Sequence, residues 1–384
     1  MSITICDKDL CCGCGLCRDA CPASAIDLAT DEYGFIRPSV DEGRCSDCGA
    51  CAKVCPANTS KRGSAPRVFA AYAKDSSVRK KSSSGGVFAL LAHRMIDRGG
   101  VVAAVGYDSG HRPVYKIASS HEEIEELMGS KYAEASPDGI FAKVKALLDG
   151  GRKVLFVGNP CRVAALKNYA GNAELLLTAD FLCHGVPPAP LFEKFLAECF
   201  DGEIEDVSFR DKTLGWQEFS MRVDVKGEAP RVTSQYKDPY LRVFLGNAAL
   251  RESCYDCRFK GDAYRSDITL GDFWGISSHI PAMNDDGGTS AVIIRSEKGA
   301  AAFDEIKDAL VLRETSEDVL KESNPALARS SPKPASRDDM LSMLKEGKSF
   351  SEIAAKFGRP LPARVILSER VKRTAKIALG KIKK

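Results

Sequence analysis

Fifteen cysteines are spread through 384 residues, and ten of them precede residue 60. Thiols that dense either bind metal or form disulfides, and their spacing separates the two. Cys11, Cys14, Cys17 and Cys21, followed by Pro22, spell C-x2-C-x2-C-x3-C-P, a run that holds [4Fe–4S] clusters. Cys45, Cys48, Cys51, Cys55 and Pro56 repeat it. A closed zinc site uses two C-x2-C pairs across a spacer, or histidines in some positions. Three thiols at successive short spacings with a fourth beside proline do not fit that pattern. Gly13, Gly15 and Gly49 suit a backbone that must curl tightly for its thiolates to converge. Cys6 and Cys12 fall outside the spacing and read as small, partly buried apolar residues.

The segment resembles two-cluster ferredoxins, in which the fourth cysteine of each run serves the other cluster. Carried over, Cys11, Cys14, Cys17 and Cys55 hold one cluster, and Cys45, Cys48, Cys51 and Cys21 hold the other.

Four later cysteines occupy suggestive places. Cys161 in "LFVGNPCRVAAL" follows a strand and opens a helix, Cys183 in "FLCHGVPP" ends the next strand, and Cys254 and Cys257 form a C-x2-C pair. Ligand sites in open α/β sheets gather beyond the carboxyl ends of the strands. On spacing alone these four read equally as a ligand set or as buried thiols, and a zinc site with His184 stays open. "SSSGGVF" places Ser83, Ser84, Gly85 and Gly86 before a helix, where amide N–H groups favour phosphate. Lys131 in "GSKYAEA", and Asp272 and Trp274 in "SDITLGDFWGI", are polar or aromatic groups at turns. Neither a G-x-G-x-x-G nor a G-x-x-x-x-G-K-[ST] motif is present.

The elements that must position these residues alternate. "GGVFALLAHRMIDRGG" has helical apolar spacing and "VVAAVGYD" reads as a buried strand. "PDGIFAKVKALLDGG" is a helix running into the strand "KVLFVG", and "AELLLTADFLC" is the next strand. "EIEDVSFRD" and "FSMRVDVKG" read as paired strands. The expected fold is α+β and α/β: a small bacterial-ferredoxin-like domain over 1–60, a mixed α/β region, and a helical basic tail over 326–384. The stretch from Leu361 holds eight Lys or Arg against one acid, Glu369. It reads as a solvated helix or as a basic tail that touches anionic lipid or an acidic partner.

A formal net charge of +3 argues against a nucleic-acid partner, and no apolar run is long enough to span a membrane. The opening "MSITICDKDL" has no apolar stretch with a small-residue cleavage site. Together with metal-type cysteine spacing, this leads to the expectation of a reducing, cytoplasmic compartment.

"SSSGGVFALLA", "GSKYAEA", "VLFVGNPCRVAAL", "CHGVPP", "CYDCRFKGD" and "SDITLGDFWGI" follow one another in order. In this the chain resembles the coenzyme F-420 hydrogenase/dehydrogenase beta-subunit family, over roughly residues 1–312. The resemblance implies a family N-terminal α/β domain over 66–172 and a C-terminal domain over 173–325. It implies an iron–sulfur flavoprotein oxidoreductase that passes electrons between FAD and [4Fe–4S] clusters. Cys161, Cys183, Cys254 and Cys257 become ligands of a third cluster. Ser83, Ser84, Gly85 and Gly86 become candidates for the FAD phosphates, with Lys131 and Asp272 in the flavin pocket. The implied partner is a redox protein, the deazaflavin coenzyme or another reduced coenzyme. The alternatives are a non-catalytic electron-transfer subunit, an accessory redox protein of a surface-polysaccharide pathway, or a structural protein whose later thiols bind zinc. Asn159 and Arg162 stand where relatives often show Thr and Gln.

Overall fold

The computed structural model describes residues 3–59, 67–171, 173–363 and 365. Residues 366–384, most of the basic stretch read as a surface-binding tail, lie outside the described residues.

The N-terminal unit is built around its cysteine runs. Strands β1 (Ile26–Thr30) and β2 (Ile36–Val40) form an antiparallel hairpin, flanked by short helices Leu16–Asp19 and Ala50–Val54. Each helix starts from a glycine with positive φ, Gly15 at 80° and Gly49 at 72°. A side chain is strained in that conformation, so the sharp turn that carries the thiols inward needs glycine at both places.

The strands that follow are β3 (Arg67–Ala73), β4 (Val101–Tyr107), β5 (Pro113–Ala118), β6 (Val154–Val157), β7 (Leu176–Phe181), β8 (Ile204–Asp211), β9 (Ser220–Val225), β10 (Arg231–Ser234), β11 (Ile268–Asp272), β12 (Ser290–Ile294) and β13 (Leu310–Thr315). Eight of them form one mixed sheet in the order β13-β3-β12-β11-β7-β6-β4-β5. Its centre, β11-β7-β6-β4, is parallel throughout. These strands are largely apolar on both faces, as a sheet covered on both sides requires, with Thr178, Asp180 and Thr269 as buried polar exceptions. Val102, Leu155 and Leu177 pack under Val87 and Leu91 of helix Val87–Asp97. Val101, Phe156 and Leu176 face Ile140, Phe141 and Val163 from helices Ile140–Asp149 and Pro160–Ala170. Cys14 and Leu16 of the N-terminal unit join this second face, so the two units share a core.

The remaining strands, β10-β9-β8, form a separate antiparallel sheet. Strands on both sides of residue 172 hydrogen-bond into the main sheet, so that expected boundary runs through a single folded body. The structure also corrects the reading of 326–384 as one tail. Helices Arg337–Lys345 and Phe350–Phe357 bury Met340, Leu341, Phe350 and Ile353 against Phe195, Tyr240 and Phe244 beside the smaller sheet. Their apolar faces make them part of the core, and the capping box of Ser349 and Glu352 fixes the start of the second.

Candidate redox site

All fifteen cysteines are free thiols. Within the N-terminal unit they ring two cavities. One is lined by Cys6, Cys11, Cys12, Cys14, Cys17 and Cys55 among Ile5, Leu28, Pro38 and Pro56. The other is lined by Cys21, Cys45, Cys48 and Cys51 among Ile3, Pro22 and Ile26. The fold therefore sends Cys55 to the first run and Cys21 to the second. Desolvation pushes the Cys17 thiol up to about 12 and raises Cys51 as well. Sulfur buried in this way ionises readily only when a cation takes the place of the proton. Among the described residues, no group of three or more His, Cys, Asp or Glu side chains forms a cage for a single metal ion.

Cys6 and Cys12 are half-buried and pack against apolar clusters, as the sequence reading had them, and both also line the first cavity. Cys6 lies within hydrogen-bond reach of Cys11 and Cys55. Cys12 lies within reach of Cys14 and also of Cys161 from the main sheet.

The four later thiols come together. Cys161, one residue into helix Pro160–Ala170, is within electrostatic reach of Cys183 and Cys257, and Cys254 is within reach of the same two. Burial raises Cys254 and pushes Cys257 up to about 11. Asn159 Nδ2 donates to Cys183 Sγ at 3.3 Å, and Lys260 Nζ donates to the Cys183 carbonyl at 2.6 Å. A hydrogen bond to a ligand sulfur stabilises added negative charge there, which raises the potential of whatever the sulfur binds. His184, the candidate zinc ligand, packs its ring on Phe244 at 4.9 Å, and burial lowers its pKa.

The flavin candidates gather at the edge of the sheet where the parallel strands end. Ser83 Oγ accepts from the Ser130 N–H at 2.8 Å, which places Ser83 beside Lys131. Tyr132 accepts from Arg210 at 3.2 Å, and Arg210 also donates to Asp272 at 2.6 Å. Lys212 Nζ donates to the Ser84 carbonyl at 2.6 Å. Of the six candidates, Asp272 is held by Arg210 and Ser84 by Lys212, two residues at the end of β8 that the sequence reading missed.

Several of the six are already engaged within the protein. The Gly85 N–H donates to Ser290 Oγ at 2.8 Å, and a Cβ on Gly85 would collide with the Ala71 carbonyl. Gly86 has φ of 92° and caps helix Val87–Asp97. Both glycines therefore have packing reasons to be there. Lys131 Nζ donates to the Met128 carbonyl at 2.6 Å, and desolvation lowers its pKa to about 7. Asp272 also accepts from Trp216 Nε1 at 2.8 Å, and Trp216 stacks on Trp274 at 5.0 Å. Ser84 Oγ and the Arg210 Nε and second terminal nitrogen are buried with no hydrogen-bond partner. Buried polar groups without partners are rare, and these are the atoms a polar ligand would satisfy.

The N-terminal unit is locked onto this body. Arg251 and Glu134 form a fully buried ion pair. Arg251 also donates to the Ile36 carbonyl at 3.0 Å, while Glu134 accepts from the Ile36 N–H at 3.0 Å. Arg162 donates to the Cys14 carbonyl at 3.0 Å and to the Ala135 carbonyl at 2.9 Å.

Residues 10–59 match the 4Fe-4S dicluster domain. Residues 68–138 match the N-terminal part, and 151–319 the C-terminal part, of the coenzyme F420 hydrogenase/dehydrogenase beta subunit. Among solved structures, the chain is similar to one in the xenon-derivatised F420-reducing [NiFe] hydrogenase complex from Methanosarcina barkeri. The identity is 16%, the TM-score 0.48, and the match covers 78% of this chain and 97% of that one. No curated protein matches. On its two family segments, with the dicluster domain ahead of them, the chain belongs to the coenzyme F420 hydrogenase/dehydrogenase beta-subunit family, an oxidoreductase group.

Proposed function

We propose that the protein is an iron–sulfur flavoprotein oxidoreductase that works in a reducing compartment. The observation that carries this reading is the convergence of Cys161, Cys183, Cys254 and Cys257 at the same sheet edge as the flavin candidates, next to the dicluster unit. In this assignment Cys11, Cys14, Cys17 and Cys55 hold one four-iron cluster, and Cys21, Cys45, Cys48 and Cys51 a second. The four later thiols hold a third, and FAD binds near Ser84 and Arg210. Bound flavin supplies two-electron hydride chemistry, and bound clusters supply single-electron steps.

The chain's own residues set the conditions. Arg162 and Arg251, both buried, place positive charge beside thiolates that would otherwise repel one another. Asn159 orients Cys183 and donates to its sulfur. Ser84 Oγ and Arg210 offer donors to an anionic ligand in a site closed to water. The hydride donor is the deazaflavin coenzyme named by the family, or another reduced coenzyme.

Anaerobic mixing with the reduced deazaflavin tests this. Bleaching of flavin absorbance followed by bleaching of the broad cluster absorbance is the expected result. A protein that carries flavin and clusters, and is reduced by dithionite but by no hydride donor, would be a non-catalytic electron-transfer subunit instead. No described helix is long and apolar enough to cross a membrane.

A further inference from the structure

The ligand sets assigned above use twelve thiols, four for each of three groups, and leave Cys6, Cys12 and Cys199 over. Cys12 is the one that reaches both units. It lines the first cavity, and its sulfur lies within hydrogen-bond reach of Cys14 on one side and Cys161 on the other. Cys14 belongs to the first cavity and Cys161 to the main-sheet group, so Cys12 lies within reach of one sulfur from each.

The chain on both sides of Cys12 is pinned from the main body. The Cys11 carbonyl accepts from Ser253 Oγ at 3.2 Å and from Arg251 at 3.4 Å, and the Cys14 carbonyl accepts from Arg162 at 3.0 Å. Arg162 follows Cys161 in the chain and Ser253 precedes Cys254, so two of the three clamps are immediate neighbours of main-sheet thiols. Gly13 keeps the loop pressed down. Its φ is 64°, and any Cβ there would meet the Arg251–Glu134 pair. The separation across the junction is therefore fixed by buried polar contacts, and a soft, polarisable sulfur fills it.

We propose that Cys12 is the sulfur bridge through which the dicluster unit and the main-sheet thiol group exchange electrons. The proposal rests on the reading that both thiol sets hold clusters. One electron passes per event from one set to the other. Cys12 makes and breaks no bond and is neither oxidised nor reduced overall.

The test uses the full-length chain, purified anaerobically, with Cys12→Ala and Cys12→Ser. Both variants should keep the native iron and flavin content. After dithionite mixing in a stopped-flow cell, the second, internal phase of bleaching should be several-fold slower in Cys12→Ala. It should be intermediate in Cys12→Ser, whose hydroxyl keeps the volume but not the sulfur. Either variant, if folded, decides the matter. Native rates in both phases would overturn the bridge. So would a loss of about four irons, the content of one cluster, which would make Cys12 a ligand. A native protein that itself holds only about eight irons would instead mark the failure of the three-cluster reading, and the two failures are distinguishable.

Discussion

Cys161→Ser protein purified without oxygen is expected to hold about eight irons where the native chain holds about twelve, the difference being one four-iron cluster. A serine hydroxyl is a much poorer ligand for iron than a thiolate. Cys161 is set in the first turn of helix Pro160–Ala170. The N-terminal unit keeps its own eight thiols and should keep its iron. Flavin should still bind and still be bleached by a hydride donor, but the cluster bleaching that follows should be lost. Cys199→Ser is the control. Cys199 ends helix Ala189–Cys199 and packs against the smaller sheet's core, away from every thiol group, and its substitution should leave iron and both phases intact. If Cys161→Ser keeps full iron and both phases, Cys161 is a plain buried thiol.

The second large effect is expected at the lock between the units. Arg251→Met leaves the Glu134 carboxylate buried without its cation, and both side chains are only 1% exposed in the native chain. Breaking a buried pair by removing one partner costs about 3–5 kcal/mol. The variant should unfold at a clearly lower temperature in anaerobic scans at a fixed rate, a comparison that suits a cofactor protein whose unfolding is not a simple equilibrium. Adding Glu134→Leu should recover part of the loss, because an apolar pair no longer carries an unpaired charge. An Arg251→Met midpoint no lower than that of an exposed substitution such as Lys226→Ala would show that the pair contributes nothing.

The contrast between these residues explains what the sequence could disclose. Ligand spacing in the two cysteine runs is local, because a single curled loop presents three of its thiols to one cavity, and so both runs were legible. The positions of Cys161 and Cys183 at strand ends were legible from apolar runs bounded by glycine, and the structure puts them at the carboxyl edge of parallel strands. Cys12 was not legible, because its second partner arrives from another unit. The same holds for Arg251 and Glu134, which are 117 positions apart, and for Arg162 and Cys14, which are 148 apart. Arg210 and Lys212 sat in a stretch read only as a strand, with no motif to mark them as partners of Asp272 and Ser84. Ser83 to Gly86 read as a phosphate site from their place before a helix and from the family resemblance. The structure shows that Gly85 is required first by its contact with β3 and β12, a constraint no local pattern reports. Helices Arg337–Lys345 and Phe350–Phe357 were grouped with the basic end because charge dominated that reading, whereas their apolar stripes decide where they pack.

The measurement that bears most directly on the account is the cofactor content of the native chain. Iron, zinc, acid-labile sulfide and FAD should be determined together on protein purified anaerobically. Three four-iron clusters predict about twelve irons with matching sulfide, one FAD, and zinc well below one per chain. About eight irons with one zinc per chain, or full iron with no FAD, would contradict the three-cluster flavoprotein.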